Sequence, residues 1–165
     1  PTFPDGIKLY DKYLECTVEG TIATLSGQAY GTWEWDMYKA LDASDMRFFF
    51  TADRIGVGGS NEGYYIHFDS NEAVKLVKSN IGSANILMAS ASAYINIDQW
   101  YHYKVTATKA GIFTLWVDGT QISTIGGSGT NPVTDTTYST SVFTLIDLDN
   151  TDRVANFNYK DEIEQ

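Results

Sequence analysis

The chain has 165 residues, a net charge of −10 and a sequence pI of about 4.4. Eleven Tyr, eight Phe and four Trp bring the aromatic share to 14%, which excludes a disordered chain, and the length suits one domain (residues 1–165) with a full core. The negative field repels nucleic acid, and no Lys/Arg run offers a basic patch against it.

The start, Pro1-Thr2-Phe3-Pro4-Asp5, has neither the basic nor the apolar region of a signal peptide, and a chain beginning with Pro and ending in Lys160-Asp161-Glu162-Ile163-Glu164-Gln165 is expected to be a processed or excised domain. No apolar run approaches the roughly 20 residues that span a bilayer, so no membrane partner is expected. The first strands are expected at Lys12–Val18 and Thr21–Leu25, hinged at Glu19-Gly20. Cys16 is the single cysteine, which excludes an internal disulfide and a cysteine-rich metal site. It shares a strand face with Leu14 and Val18, the setting of a buried thiol, and the chain can fold without an oxidising compartment.

A long strand follows at Tyr30–Lys39, then Met46–Thr51 after the polar turn Asp42–Asp45. Gly56–Gly63 holds four glycines with Ser60 and Asn61. It lacks the Lys-Ser/Thr ending of a P-loop and reads as a loop. Tyr64–Asp69 and Ala73–Lys78 form an expected hairpin, and Asn85–Ala91 another strand. Trp100–Val117 alternates on both sides of Lys109-Ala110-Gly111, the pattern of an antiparallel hairpin. Asp118-Gly119 turns the chain into Thr120–Ser123. Gly126–Asn131 is a second loop, and Ser141–Leu148 and Arg153–Tyr159 close the series. About a dozen short strands without intervening helices predict an all-β, antiparallel sandwich.

The hairpin resembles the late strands of the concanavalin A-like jelly roll, the sandwich of legume lectins, laminin G-like modules and many glucanases. Ala29–Lys39 resembles that family's long early strand, Gly63–Asp69 its middle strand and Asp152–Tyr159 its closing strand. The resemblance covers most of the chain. It implies an antiparallel jelly-roll β-sandwich with a sheet face that can meet a glycan, and fold alone does not give function.

Strand alternation sorts the side chains into faces. Trp33, Trp35, Met37, Tyr64, Ile66, Phe68, Tyr101, Tyr103, Val105, Phe113, Leu115 and Val117 form the expected core set. The remaining set collects Glu34, Asp36, Tyr38, Tyr65, His67, His102, Lys104 and Trp116. Trp116, Tyr38 and Tyr65 can stack on the C–H face of a pyranose, and Glu34, Asp36, His67 and His102 can bond its hydroxyls. The same residues also suit a solvated sheet face stabilised by cross-strand pairs, so the two readings stand side by side. Trp100 is expected to be structural, with Trp116 nearer the ligand.

Glucanases of this fold carry a Glu-x-Asp-x-x-Glu strand. Glu34-Trp35-Asp36-Met37-Tyr38-Lys39 begins that way, but Lys39 replaces the last acid and by parity faces away from Glu34. Glu34 and Asp36 are about 6.6–7 Å apart by strand rise, against about 5–5.5 Å for a retaining pair. No serine sits in a nucleophile elbow. No catalytic residue, cofactor or metal is therefore expected. Asp147-Leu148-Asp149-Asn150-Thr151-Asp152 offers alternating oxygens for Ca²⁺ but lacks the Gly and distal Glu of an EF-hand loop, and the turn reading is preferred. His67 and His102 lack a convincing third ligand.

The expected function is a non-catalytic binding module on a virion or extracellular surface. Its partners would be a glycan or cell-surface polysaccharide, in an adhesive role, and neighbouring proteins of a larger assembly. The alternatives are a purely structural decoration protein and a glycan hydrolase or lyase.

Overall fold

The computed structural model describes residues 7–10, 12–54, 61–81, 83–125 and 129–161, and among these it contains strands and no helix. In chain order they are β1 (Ile7–Leu9), β2 (Leu14–Cys16), β3 (Gly20–Leu25), β4 (Gly31–Lys39), β5 (Met46–Arg54), β6 (Glu62–Phe68) and β7 (Val74–Asn80). There follow β8 (Ser83–Ala89), β9 (Gln99–Ala107), β10 (Ile112–Val117), β11 (Thr120–Gln121), β12 (Val133–Thr134), β13 (Phe143–Leu148) and β14 (Arg153–Lys160). Sheet A runs β1-β2-β14-β4-β9-β10-β11, with β12 beside β10, and sheet B runs β3-β13-β5-β6-β7-β8. The architecture is the expected all-β, antiparallel jelly-roll sandwich.

β4 shows why these residues make strands. Its nine residues alternate buried and partly exposed without a break, and Trp33, Trp35 and Met37 keep 1%, 0% and 2% of their surface. Period-two burial is what a strand against a core requires. β4 lies beside β9 in unbroken register from Gly31↔Ala107 to Lys39↔Gln99. Facing β4 from sheet B, Phe48 lies 4.3 Å from Trp35, and Phe50 lies 5.1 Å from Trp33. Phe68 meets Tyr103 edge-on at 4.7 Å. These tilted and edge contacts suit the ring quadrupole, and truncating one such ring costs about 3–5 kcal/mol.

The chain changes sheet at several corners. β2 and β3 are consecutive but belong to different sheets, so the expected Lys12–Val18 strand ends at Cys16. Val18 is 55% exposed rather than packed beside the fully buried Cys16, because the crossover has begun by then. Strands β1 and β12 are further short elements with no alternation long enough to reveal them.

Of the two Gly/Ser segments, residues 56–60 and 126–128 lie outside the described residues. The end of the first belongs to β6. Gly63 pairs with Ala52 at a φ of 147°, and a Cβ there would stand 1.9 Å from the Thr51 carbonyl oxygen. Only glycine allows that approach.

Lys39 points inward, as parity predicts, and is 3% exposed. Its ammonium donates to the Asp42 and Asp69 carbonyls at 3.0 and 2.8 Å and to Glu72 Oε1 at 2.6 Å. These partners offset the cost of burying the charge.

Candidate functional site

The outer faces of the two sheets point away from each other, and this divides the expected ligand set. Glu34, Asp36 and Tyr38 on β4, His102 on β9 and Trp116 on β10 stand on the outer face of sheet A. Tyr65 and His67 on β6 stand on the outer face of sheet B. The seven residues therefore do not form one site. Alternation tells inward from outward, but it does not tell which of two sheets a strand joins.

The sheet B face is closed at these positions. Tyr65 is 7% exposed, stacks on Phe49 at 4.5 Å and belongs to a small apolar cluster with Ala52, Val77 and Leu145. Burial raises the pKa of its phenol. His67 Nε2 bonds Asp45, which also accepts from Arg47 at 2.9 Å. Burial holds His67 below its ordinary pKa despite the Asp45 carboxylate. Burial alone would raise Asp45, yet the bonds from His67 and Arg47 outweigh it and keep the carboxyl low. Tyr65 has no free ring face of the kind a sugar needs.

Sheet A carries an open groove of about 580 Å³, lined by Tyr10, Lys12, Tyr13, Asp36, Trp100, Ala155 and Asn156. Tyr10 stacks on Tyr13 at 4.9 Å, Tyr13 leans on Trp100 at 5.9 Å, and Trp100 leans on Tyr38 at 5.6 Å. Arg153 supports this row from behind. Its guanidinium lies 5.2 Å from the Tyr13 ring and 4.6 Å from the Tyr38 ring, and Nε donates to Glu15 at 2.7 Å. Such a cation held over two rings, with its own carboxylate partner, orders the aromatic wall. Tyr38 Oη donates to Asp98 at 3.0 Å, a bond that raises the phenol's pKa.

Asp36 is the polar centre of the groove. Its Oδ1 accepts from His102 Nδ1 at 2.7 Å and its Oδ2 from the Asn156 amide at 2.5 Å. Asn156 reaches Asp36 because β14 bulges. Ala155 pairs with Asp36 and Asn158 with Glu34, so Asn156 and Phe157 together oppose Trp35, with Asn156 at a φ of 52°. An extra residue bends the strand and re-aims its side chains.

Trp100 reverses an expectation. It is 38% exposed and stands on the outer face, while Trp116 is partly covered by Lys104 Nζ, 4.5 Å from its ring centroid. The signal was present, since placing Tyr101, Tyr103 and Val105 inward sends Trp100 outward with His102. Asn156 was hidden by the bulge. Tyr10 and Tyr13 were hidden because they precede and flank strands of three residues, too short to show a period. Of the seven expected ligand residues, only Asp36 lines the groove, with His102 and Tyr38 supporting it.

Neither the carboxylates of β4 nor the Asp147–Asp152 turn forms a second polar centre. Glu34 lies 3.7 Å from Lys160 Nζ. Asp152 is fully buried, and its carboxylate accepts from the Ala40 and Asp149 backbone N–H groups at 2.8 and 3.2 Å. Burial pushes its pKa up to about 6. Asp149 accepts from the Asp45 N–H at 2.7 Å, and Asp147 from the Thr21 hydroxyl at 2.6 Å. These oxygens tie together the β13–β14 turn, the β4–β5 loop and β3. Among the described residues no three His, Cys, Asp or Glu side chains are grouped to hold a metal ion.

No protein-family model matches the chain, and no curated protein sequence does. Solved structures do match. The carbohydrate binding module CBM66 from Bacillus subtilis superposes with a TM-score of 0.71 at 18% identity, covering 93% of this chain and 90% of its own. The VIP36 exoplasmic/lumenal domain in its Ca²⁺/Man2-bound form gives 0.72 at 14% identity, covering 97% and 80%. A β-glucanase from Bacillus licheniformis gives 0.62 at 15% identity, covering 96% and 83%. At such identities the likeness concerns architecture alone, and the chain shares its jelly-roll β-sandwich fold with all three.

Proposed function

We propose that the protein is a non-catalytic glycan-binding module whose site is the sheet A groove. One observation carries this reading: exposed aromatic rings, Tyr10 at 41% and Trp100 at 38%, stand beside a hydrogen-bonded carboxylate in an open groove. A pyranose presents an apolar face to such rings and hydroxyls to such a carboxylate. The groove volume falls within the range of small-molecule sites. Carbohydrate-binding neighbours of the same fold support the reading.

Hydrolysis fits the groove less well. Retaining and inverting glycosidases both use two carboxyl groups. Among the described residues Asp36 is the one carboxylate lining the groove, and both its oxygens are already engaged. A surface role, on a virion or outside a cell and in adhesion, is the setting we propose for such a module. A shallow site of this kind gains useful affinity from several copies presented together. The charge of −10 argues against nucleic acid as the partner.

Protein contacts in a larger assembly are the second reading. Leu25 on edge strand β3 is 77% exposed, and the neighbouring Val142 is 45% exposed, an apolar edge suited to a protein neighbour.

A glycan array probed with the wild-type chain and Trp100→Ala tests the proposal. Binding to a defined glycan class, lost in the variant, is the expected result. No binding to any glycan, with the groove covered in an isolated assembly, favours the structural reading instead.

A further inference from the structure

The groove does not end at Asn156. Past the β14 bulge lies a second hollow of about 540 Å³, to which Leu9, Leu14, Ile146, Val154 and Phe157 contribute. Tyr10, Lys12, Tyr13, Ala155 and Asn156 line both hollows, so the two adjoin along these residues and together make a trough. Its cause lies in the pairing. Among the described residues β2 covers β14 only at Arg153 and Val154, and these leave the mouth of the inter-sheet core open beyond them. Ile146 reaches this mouth from sheet B, where it packs against the main core. Phe157, displaced by the bulge, lies 5.6 Å from Phe48 yet stays 47% exposed, and Leu9 is 59% exposed.

The trough is chemically two-ended. At one end stand Asp36, backed by His102, and Trp100. At the other stand the side chains of Leu9, Leu14, Ile146, Val154 and Phe157. We propose that the ligand is a soluble glycoside carrying an apolar substituent, with the sugar against Trp100 and Asp36 and the alkyl or aryl aglycone against Leu9 and Phe157. This rests on the glycan reading above and names its substrate class. Apolar surface left in water at a site continuous with a sugar groove is matched by a ligand that buries methylenes beside its sugar. A wholly apolar ligand would leave the Asp36 centre unmatched, and a free polar sugar would leave the Phe157 end empty.

Titration calorimetry of the full chain tests this with matched methyl and octyl glycosides of β-glucose, β-galactose and α-mannose, kept below micelle formation. Octyl tetraethylene glycol ether serves as the sugar-free control. The expected result is an octyl glycoside binding at least tenfold more tightly than its methyl partner. Leu9→Ser should remove that advantage and leave the methyl affinity unchanged. Phe157→Ala should do the same, and the high exposure of Leu9 keeps the test valid if the Phe157 variant fails to fold. Equal affinities within every binding pair overturn the inference, and if that methyl binding is lost in Trp100→Ala the glycan reading stands. An advantage that survives both substitutions overturns it, as does an ether that binds as tightly as the octyl glycosides. Binding by no member of any pair also overturns it, and the glycan array then decides the broader reading.

Discussion

On the outer face of sheet A, Tyr10 and Trp100 keep 41% and 38% of their surface; on the outer face of sheet B, Phe49 and Tyr65 keep 2% and 7%. Both faces carry aromatic rings, a histidine and an aspartate. On sheet A the His102–Asp36 pair sits beside open rings, and on sheet B the His67–Asp45 pair sits beside a closed apolar cluster. Similar composition thus supports two different roles. Rings that pack on each other stabilise the fold, whereas rings that keep a free face can meet a ligand.

The sharpest way to break this comparison is to truncate one ring on each face. Phe49→Ala should cost about 3–5 kcal/mol in denaturant melts, the range for emptying a packed aromatic site. Trp100→Ala should cost only about 1 kcal/mol, the scale of its ring–ring contacts with Tyr13 and Tyr38. Equal costs, or the reverse order, would mean that the two faces are not closed and open as described.

The corner that joins the faces comes next. Asp152→Ala leaves the Ala40 and Asp149 N–H groups without their acceptor, at about 1–3 kcal/mol for each buried donor. The pH dependence has a defined sign. The folded pKa of about 6 lies above the ordinary carboxylate value, so the folded state holds this proton more tightly. The Asp152 contribution is therefore most favourable below about pH 4 and is lost as pH rises through about 6. Melts across that window should show this falling component in the wild type and lack it in the variant.

Asp36→Ala should weaken glycan binding at least tenfold, about 1.4 kcal/mol, with the β-sheet circular dichroism spectrum unchanged. A variant that binds as well as the wild type would move the polar centre away from Asp36. A smaller effect belongs to sheet B. Since burial lowers the folded pKa of His67, its contribution is fully present above about 6.5 and is lost as pH falls through the folded value. NMR titration of the two histidines should find His67 titrating below its ordinary range, and a normal or raised value would show the sheet B face to be open. Smallest of all, chelator should leave the melting temperature unchanged. A calcium-dependent rise near 2.7 kcal/mol at about 100 times the dissociation constant would reassign Asp147, Asp149 and Asp152 as ligands.

What depends on short-range periodicity is legible in the sequence. The ten principal strands fall close to their expected places, and the inward set of β4, β6, β9 and β10 is buried except for Tyr101, which is partly buried, while Tyr65 is buried although it faces outward. Alternation of side chains is a property of each strand alone, so it can be read from each strand alone. The same parity puts Trp100 outside with His102, against the structural role expected for it.

Tertiary structure decided the rest. Whether β4 and β6 share a sheet depends on pairing between distant segments, and this separated Tyr65 and His67 from Asp36 and His102. The β14 bulge shifted parity within one strand and brought Asn156, 120 residues away in sequence, onto Asp36. Tyr10 and Tyr13 join the groove through a three-residue strand pairing and a ring contact to Trp100, interactions with no periodic trace. Each strand's own sequence determines which way its side chains point. Which neighbours they meet is a long-range matter, because sheet order and register are set by contacts that form only when the whole sandwich closes.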